Sequence, residues 1–153
     1  MTRIIALALA LAAIAEPALA HRYESLRSDK VYLREGPGFR HRILFVYRRK
    51  SYPFEVIATY QGWARVRDCD ETEGWISQTM LSDVRTVVVT GSERASLRAQ
   101  SFAAAPVVAW AESGVVGKLK ACKPQFCKIT AGGVSGWVAR NRIWGVDAGE
   151  IFN

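Results

Sequence analysis

The chain has few of the residues on which catalysis and metal binding usually depend. Its 153 residues include two histidines, three cysteines and two methionines. A nucleophilic triad needs serine or cysteine beside a positioned histidine and a carboxylate. His41 lies between Arg40 and Arg42, which favours a solvated loop, and a copper site at His21 would need a second histidine ligand. The sequence therefore predicts a protein that is not an enzyme and has no cofactor and no metal.

No segment after residue 20 shows the long apolar stripe of a helix. The single long apolar run, residues 4–15, follows Arg3 and precedes Ala-Leu-Ala at residues 18–20, which is the pattern of a cleavable signal peptide. A transmembrane anchor is the alternative, but a bilayer core needs about 20 apolar residues as helix. We therefore expect residues 1–20 to be a signal peptide. The mature protein would then be secreted across the inner membrane, into the periplasm, with no membrane span.

Acidic residues are too few to balance the basic ones. There are 21 Lys and Arg against 14 Asp and Glu, which gives a net charge of +7 and a pI near 9.7. In an exported protein this charge favours an anionic partner, such as a phosphate-bearing envelope polymer, a membrane surface or an acidic protein. Nucleic acid is not expected there. The alternative is that the charge only keeps a small protein soluble.

The rest of the chain contains two copies of one small unit. Four motifs recur in the same order at offsets of 62 to 64 residues, which predicts a repeat with copies at 24–84 and 86–147. They are Leu-Arg at 33–34 and 97–98, aromatic-x-basic-aliphatic at 63–66 and 126–129, Gly-Trp-aliphatic at 74–76 and 136–138, and an aliphatic residue at 81 and 143.

Each copy has the pattern of short β-strands. From residue 63 onward the chain alternates, with Ala64 and Val66 on one face and Trp63, Arg65 and Arg67 on the other. A period of two indicates a sheet with one buried and one solvated face. The second copy repeats this alternation. The sequence therefore predicts an all-β protein.

The motifs of the first copy resemble those of bacterial SH3-like (Src-homology-3) domains. Residues 31–38 resemble the family's opening Leu-Arg and Gly-Pro turn, 63–66 its Trp-x-Lys/Arg-Val strand, and 74–76 its Gly-Trp-Val strand. The second copy is degenerate, because Gln-Ser-Phe at 100–102 replaces the Gly-Pro turn. The resemblance implies two tandem five-stranded β-barrels. It also implies a binding or scaffolding role rather than catalysis.

The resemblance also points to candidate ligand-binding residues in the first copy. Trp63 matches the tryptophan that holds proline-rich ligands in eukaryotic relatives, and Met80 falls where those relatives have a groove tyrosine. If Arg65 and Arg67 share a face with Trp63 and Tyr60, that face combines a stacking surface with cations.

Trp75 and Trp137 are interpreted as core or barrel-edge residues rather than ligand contacts. The expected function is an exported non-enzymatic binding module of the cell envelope, recognising peptidoglycan or another anionic wall component. A protein–protein interaction or assembly role in the periplasm is the alternative. Either way we expect a monomer or weak dimer whose partner is a cell-wall polymer or an envelope protein.

The cysteines predict one disulfide. Cys122 and Cys127 flank a four-residue turn, so they would face each other across a hairpin within disulfide range. An oxidising compartment favours their pairing, and metal binding is the weaker alternative. Cys69 is left over, either as an unused loop thiol or as a site of intermolecular pairing.

An acidic cluster lies between two predicted strands. Asp68, Asp70, Glu71 and Glu73 could supply oxygen ligands to calcium, but their spacing does not match a calcium loop. We expect a solvated acidic turn instead.

Overall fold

The computed structural model describes residues 20–153, so the predicted signal peptide lies outside the described residues except for Ala20. The described chain is built from strands and two three-residue 3-10 turns. No helix within it has the length and hydropathy to cross a bilayer. The strands are β1 Arg22–Leu26, β2 Val31–Arg34, β3 Ile43–Tyr47, β4 Pro53–Tyr60, β5 Trp63–Arg67, β6 Glu73–Ser77, β7 Leu81–Ser82, β8 Thr86–Val89, β9 Ala95–Arg98, β10 Val107–Ala111, β11 Val116–Cys122, β12 Phe126–Ala131, β13 Val134–Ala139 and β14 Ile143–Trp144.

The strands form two sheets with the same internal order. The first runs β3-β2-β6-β5-β4-β1-β7 and the second β10-β9-β13-β12-β11-β8-β14, so each strand recurs seven places later. Neighbouring strands are antiparallel throughout. The predicted all-β tandem is confirmed. Each sheet has seven strands rather than five, and the last one in each copy is only two residues long.

The alternation along β5 and β12 places the core. Ala64 and Val66 are 1 % and 0 % exposed, whereas Arg65 between them is exposed. Cys127 and Ile129 occupy the matching inward positions of β12 and are fully buried. Small and β-branched side chains on one face of each strand pack into the core of their own copy, which leaves the other face for solvent. The outward face of β5 therefore carries Trp63, Arg65 and Arg67, three of the five candidate ligand-binding residues.

The hairpins that begin β5 and β12 differ in construction. In the first copy Gln61 and Gly62 both have positive φ, 43° and 82°, which is the backbone of a tight two-residue turn. In the second copy a four-residue turn is closed by the disulfide Cys122–Cys127, whose two residues are cross-strand partners. The predicted disulfide is confirmed, and both sulfur atoms lie in the core of the second sheet.

The acidic turn differs from the expectation at Asp68. This residue is 5 % exposed, and its carboxylate accepts hydrogen bonds from the Tyr47 hydroxyl at 2.6 Å and from the backbone N–H groups of Asp70 and Thr72 at 2.9 Å each. The prediction of a solvated turn is wrong here, because the carboxylate organises the loop from inside. Asp70 and Glu71 are exposed as expected.

The buried Tyr47 and the half-buried Tyr52 predict a loss of stability in alkali. Burial, then hydrogen bonds to Asp68 and Cys69 respectively, raise the pKa of Tyr47 and Tyr52 above the ordinary 10.0. Above about pH 10 the unfolded chain releases these protons while the folded chain keeps them, so the free energy of unfolding must fall as pH rises. Urea titrations at neutral and alkaline pH should show this fall. Tyr52→Phe should make this fall less steep, since only Tyr47 then contributes, and an unchanged pH dependence in that variant would contradict the assignment.

The two copies touch along β1, β8 and the segment after β14. The Thr86 hydroxyl donates to the carbonyl oxygen of Ser51 at 2.7 Å, and the rings of Tyr23 and Trp144 meet edge to face at 5.5 Å. His21 binds the Asp147 carboxylate twice, through its backbone N–H at 2.8 Å and its ring Nδ1 at 2.6 Å. The first strand of copy one is thereby tied to the end of copy two.

Candidate ligand-binding faces

The outward face of β5 places Trp63 next to an aromatic residue from the loop after β2. The rings of Trp63 and Phe39 meet edge to face with centroids 5.0 Å apart. Phe39 is 76 % exposed, whereas Trp63 is half-buried. An exposed ring supported by a second ring offers a preformed apolar surface. We call Phe39 and Trp63 the aromatic pair.

Arg34 holds the loop that presents Phe39. Its guanidinium donates to the carbonyl oxygens of Phe39 and His41, each at 3.0 Å, and lies 5.7 Å from the Phe39 ring. Arg98 makes the corresponding contact in the second copy, donating to the carbonyl oxygen of Ala105 at 2.8 Å. Sequence reasoning missed Phe39. An aromatic residue directly after Gly38 in a predicted surface turn was the available signal.

The other two predicted contacts lie near the end of the same hairpin. Tyr60 is the cross-strand partner of Trp63 and is 53 % exposed. Met80, 36 % exposed, ends the 3-10 turn Gln78–Met80, whose first N–H donates to the carbonyl oxygen of Gly62 at 2.9 Å. Tyr60 therefore extends the face of the aromatic pair, and Met80 lies on the segment that borders the hairpin.

The two predicted cations, Arg65 and Arg67, already have partners. Arg65 and Arg67 each lie 2.7 Å from a Glu73 carboxylate oxygen, and Arg67 is also 3.5 Å from Glu55. Hydrogen bonds from Arg67 and then Arg65 hold the pKa of Glu73 below its ordinary value. These arginines share the face of Trp63, as predicted, but their charge is balanced by carboxylates on the same face.

Trp75 and Trp137 each stand at the centre of a row that crosses three strands. Trp75 has Arg65 and Arg34 as cross-strand partners, and Trp137 has Lys128 and Arg98. Both indoles are half-buried. Each copy therefore presents one indole between two basic side chains on its outward face. This arrangement could not be read from the sequence, because it depends on the strand register.

One cavity lies between the copies rather than on either face. It measures about 750 Å³ and is lined in part by His21, Tyr23, Arg85, Asp147 and Glu150. Arg85 binds Glu150 at 2.8 Å, and burial, followed by the charges of Asp147 and Glu55, raises the pKa of Tyr23 to about 12. Within residues 20–153 no three His, Cys, Asp or Glu side chains are grouped to hold a metal ion. The charged groups in this cavity instead tie the two copies together.

Cys69 is the one unpaired cysteine among the described residues. Its thiol is half-buried, and the Tyr52 hydroxyl lies 3.1 Å from the sulfur. Burial raises the pKa of this thiol, which lowers its thiolate fraction and therefore its reactivity.

The two antiparallel β-sheets have the same strand order and follow one another along the chain, so the protein is a tandem of two small β domains. The profile of the bacterial SH3 domain matches residues 27–83 and 91–145, and the chain therefore belongs to the bacterial SH3 domain family. The family resemblance drawn from the sequence is confirmed.

The chain is also similar to two solved structures. They are NlpC2 and NlpC1 from Trichomonas vaginalis, each 15 % identical, with TM-scores of 0.39 and 0.38. The match covers 84 % and 89 % of this chain but 49 % and 50 % of those chains, so the chain spans about half of their length. No curated protein matches the chain.

Proposed function

We propose that the protein is an exported, non-enzymatic binding module of the cell envelope that recognises peptidoglycan or another anionic wall component. The observation that carries this proposal is the aromatic pair, in which a 76 % exposed Phe39 packs edge to face on Trp63. Apolar rings held open to solvent are typical of binding surfaces, and sugar rings stack well on them. Membership in the bacterial SH3 domain family supports a binding role.

A periplasmic location is part of the same proposal. It is supported by the pattern of residues 1–20 and by the Cys122–Cys127 disulfide, because disulfides persist in oxidising compartments. The net charge of +7 is compatible with an anionic envelope surface.

Retention on purified peptidoglycan tests the role of the aromatic pair. We expect Phe39→Ala to weaken retention about tenfold, because truncating an exposed anchor ring removes a central contact. Trp63→Ala should weaken it at least as much. Phe45→Ala is the matched control, since Phe45 is also a half-exposed ring but is the cross-strand partner of the inward-facing Leu33.

Two results would overturn this proposal. One is no retention of the unaltered protein at any ionic strength. The other is equal retention of Phe39→Ala, Phe45→Ala and the unaltered protein. Retention that survives high salt would support stacking over charge, because exposed ion pairs are screened by salt.

A second candidate function is protein interaction or assembly in the periplasm. It is favoured by edge strand β3, where Ile43, Leu44 and Phe45 are 42 %, 44 % and 52 % exposed. An apolar edge strand with free backbone groups is a template for pairing with another chain. A photo-reactive side chain at position 44 should then cross-link one envelope protein repeatedly, and the absence of any cross-linked protein would remove this candidate.

A further inference from the structure

The positive charge of the protein is concentrated in the second copy. Residues 24–84 contain ten basic and nine acidic residues, a net charge of +1, whereas residues 86–147 contain eight basic and three acidic residues, a net charge of +5. The copy with the weaker family signature therefore supplies most of the charge that makes the protein basic.

The difference is located on the outward face of the sheet. At equivalent positions of the two copies, an acidic, an apolar and an aromatic residue of the first are replaced by lysines in the second. In addition, one arginine is replaced by lysine and one further carboxylate by serine. The replacements are Glu55 by Lys118, Ile57 by Lys120, Tyr60 by Lys123, Arg65 by Lys128 and Glu73 by Ser135. We call Lys118, Lys120, Lys123 and Lys128 the lysine face.

The lysines of this face are exposed and have no acidic partner. In the first copy Glu73 binds Arg65 at 2.7 Å, but its counterpart Ser135 bonds only to the Thr130 hydroxyl at 2.6 Å. None of the four lysines forms an ion pair within the part of the chain that the structure describes. Their charge is available to a ligand, whereas that of Arg65 is not.

The lysine face surrounds an apolar surface. Trp137 is the cross-strand partner of Lys128, and the ammonium of Lys123 lies 5.1 Å from the centre of its ring. Phe126, two residues before Lys128, is half-buried on the same side of β12. A ligand that fits this surface carries both flat apolar faces and negative charges.

The lysine face is also held rigidly. β12 lies between β11 and β13, and the disulfide Cys122–Cys127 joins the two strands that carry Lys118, Lys120 and Lys128. Lys118 and Lys120 are two residues apart on β11, a rise of about 6.7 Å along a strand. Because Lys118, Lys120 and Lys128 stand on strands, and Lys123 directly follows the disulfide-bonded end of β11, their spacing is preset before binding.

We propose that the second copy binds an anionic glycan, a polymer whose sugar rings carry phosphate, sulfate or carboxylate groups, on the lysine face and Trp137. This inference rests on the proposed binding role and assigns its anionic part to the second copy. The positive charges of the four lysines favour a ligand with negative charges. The aromatic side chains of this face, Trp137 and Phe126, are half-buried. This favours a sugar polymer over a bilayer, because an interfacial anchor would need an exposed apolar side chain among the lysines to insert.

Binding of the full exported chain to dextran sulfate, with uncharged dextran as its neutral counterpart, tests the inference. We expect binding to dextran sulfate that weakens with salt, and little binding to dextran. Ser135→Glu restores the carboxylate of the first copy beside Lys128 and should weaken binding about fivefold, as should Lys128→Gln, whereas Lys128→Arg should retain it. The reciprocal change Glu73→Ser removes the carboxylate partner of Arg65, whereas Arg67 keeps Glu55, and it should strengthen binding.

Lys50→Gln is the matched control, because it removes one exposed positive charge from the first copy, outside the lysine face. If Lys50→Gln weakens binding as much as Ser135→Glu, binding follows net charge and the assigned surface is wrong. Equal affinity for polyphosphate or anionic phospholipid vesicles, unaffected by Ser135→Glu, would also overturn it. Loss of peptidoglycan retention in Phe39→Ala is a separate readout, so failure of this inference and failure of the proposed function are distinguishable.

Discussion

Replacing Asp68 by alanine should destabilise the first barrel by about 3 kcal/mol. The change removes a buried carboxylate that accepts hydrogen bonds from the Tyr47 hydroxyl and from the N–H groups of Asp70 and Thr72. The Tyr47 hydroxyl then loses its acceptor in the interior, and the N–H groups of Asp70 and Thr72 lose theirs in a part-buried loop. Each donor left unpaired away from water costs about 1–3 kcal/mol. Partial relaxation of the loop towards solvent lets its N–H groups bind water, so the expected loss of stability lies near the lower end of the summed range.

The variant Tyr47→Phe distinguishes the stability that comes from the Tyr47 hydroxyl from the stability that comes from the backbone hydrogen bonds of the loop. It removes one donor and leaves the carboxylate with its two backbone partners, so we expect a loss of only about 1 kcal/mol. Urea unfolding followed by tryptophan fluorescence, with hydrogen exchange to localise the change to residues 24–84, measures both variants. A loss in Asp68→Ala no larger than that in Tyr47→Phe would contradict the role assigned to the carboxylate.

Removing the Cys122–Cys127 disulfide should lower the stability of the second barrel by about 2 kcal/mol. The bond closes a loop over a sequence separation of five residues, which is short, so the loss of unfolded-state entropy is modest. Both sulfur atoms are buried in the second core, so Cys122→Ala with Cys127→Ala also removes packed volume. Faster hydrogen exchange in β11 and β12 should accompany the loss.

Cys69→Ala serves as the control for the disulfide. Its thiol is half-buried in the first copy and unpaired, so its replacement should leave exchange in the second copy unchanged. Equal unfolding midpoints for oxidised and reduced protein would contradict the stabilising role. Because the lysine face is carried by the same two strands, reduction should also weaken binding to dextran sulfate.

The fold could be predicted because its determinants are local or repeated. The alternation around Ala64 and Val66 places the core, and the second Gly-Trp motif at 136–138 reveals the duplication. The Cys122–Cys127 pairing followed from a turn length, which is also a local quantity. These features need only neighbours in the sequence and the two-residue period of a strand.

The site could be predicted only in part, because its charge balance depends on strand register. Arg65 and Arg67 were expected to add cations to the face of Trp63, but cross-strand pairing of β5 with β6 brings Glu73 against both. Asp68 was misjudged because its acidic neighbours indicate solvent, while its buried partner Tyr47 lies 21 residues earlier in the chain. Such contacts between distant residues are invisible until the sheet is assembled.

Each sheet contains only strands of its own copy, so the two copies can fold one after the other. Every strand of the first sheet comes from residues before Thr86, so that sheet can form while the second copy is still being synthesised. The contacts of His21 with Asp147 span 126 residues and can form only after the second copy has emerged. Folding would thus begin with the first copy and end when His21, near the amino terminus, contacts Asp147 in the second copy.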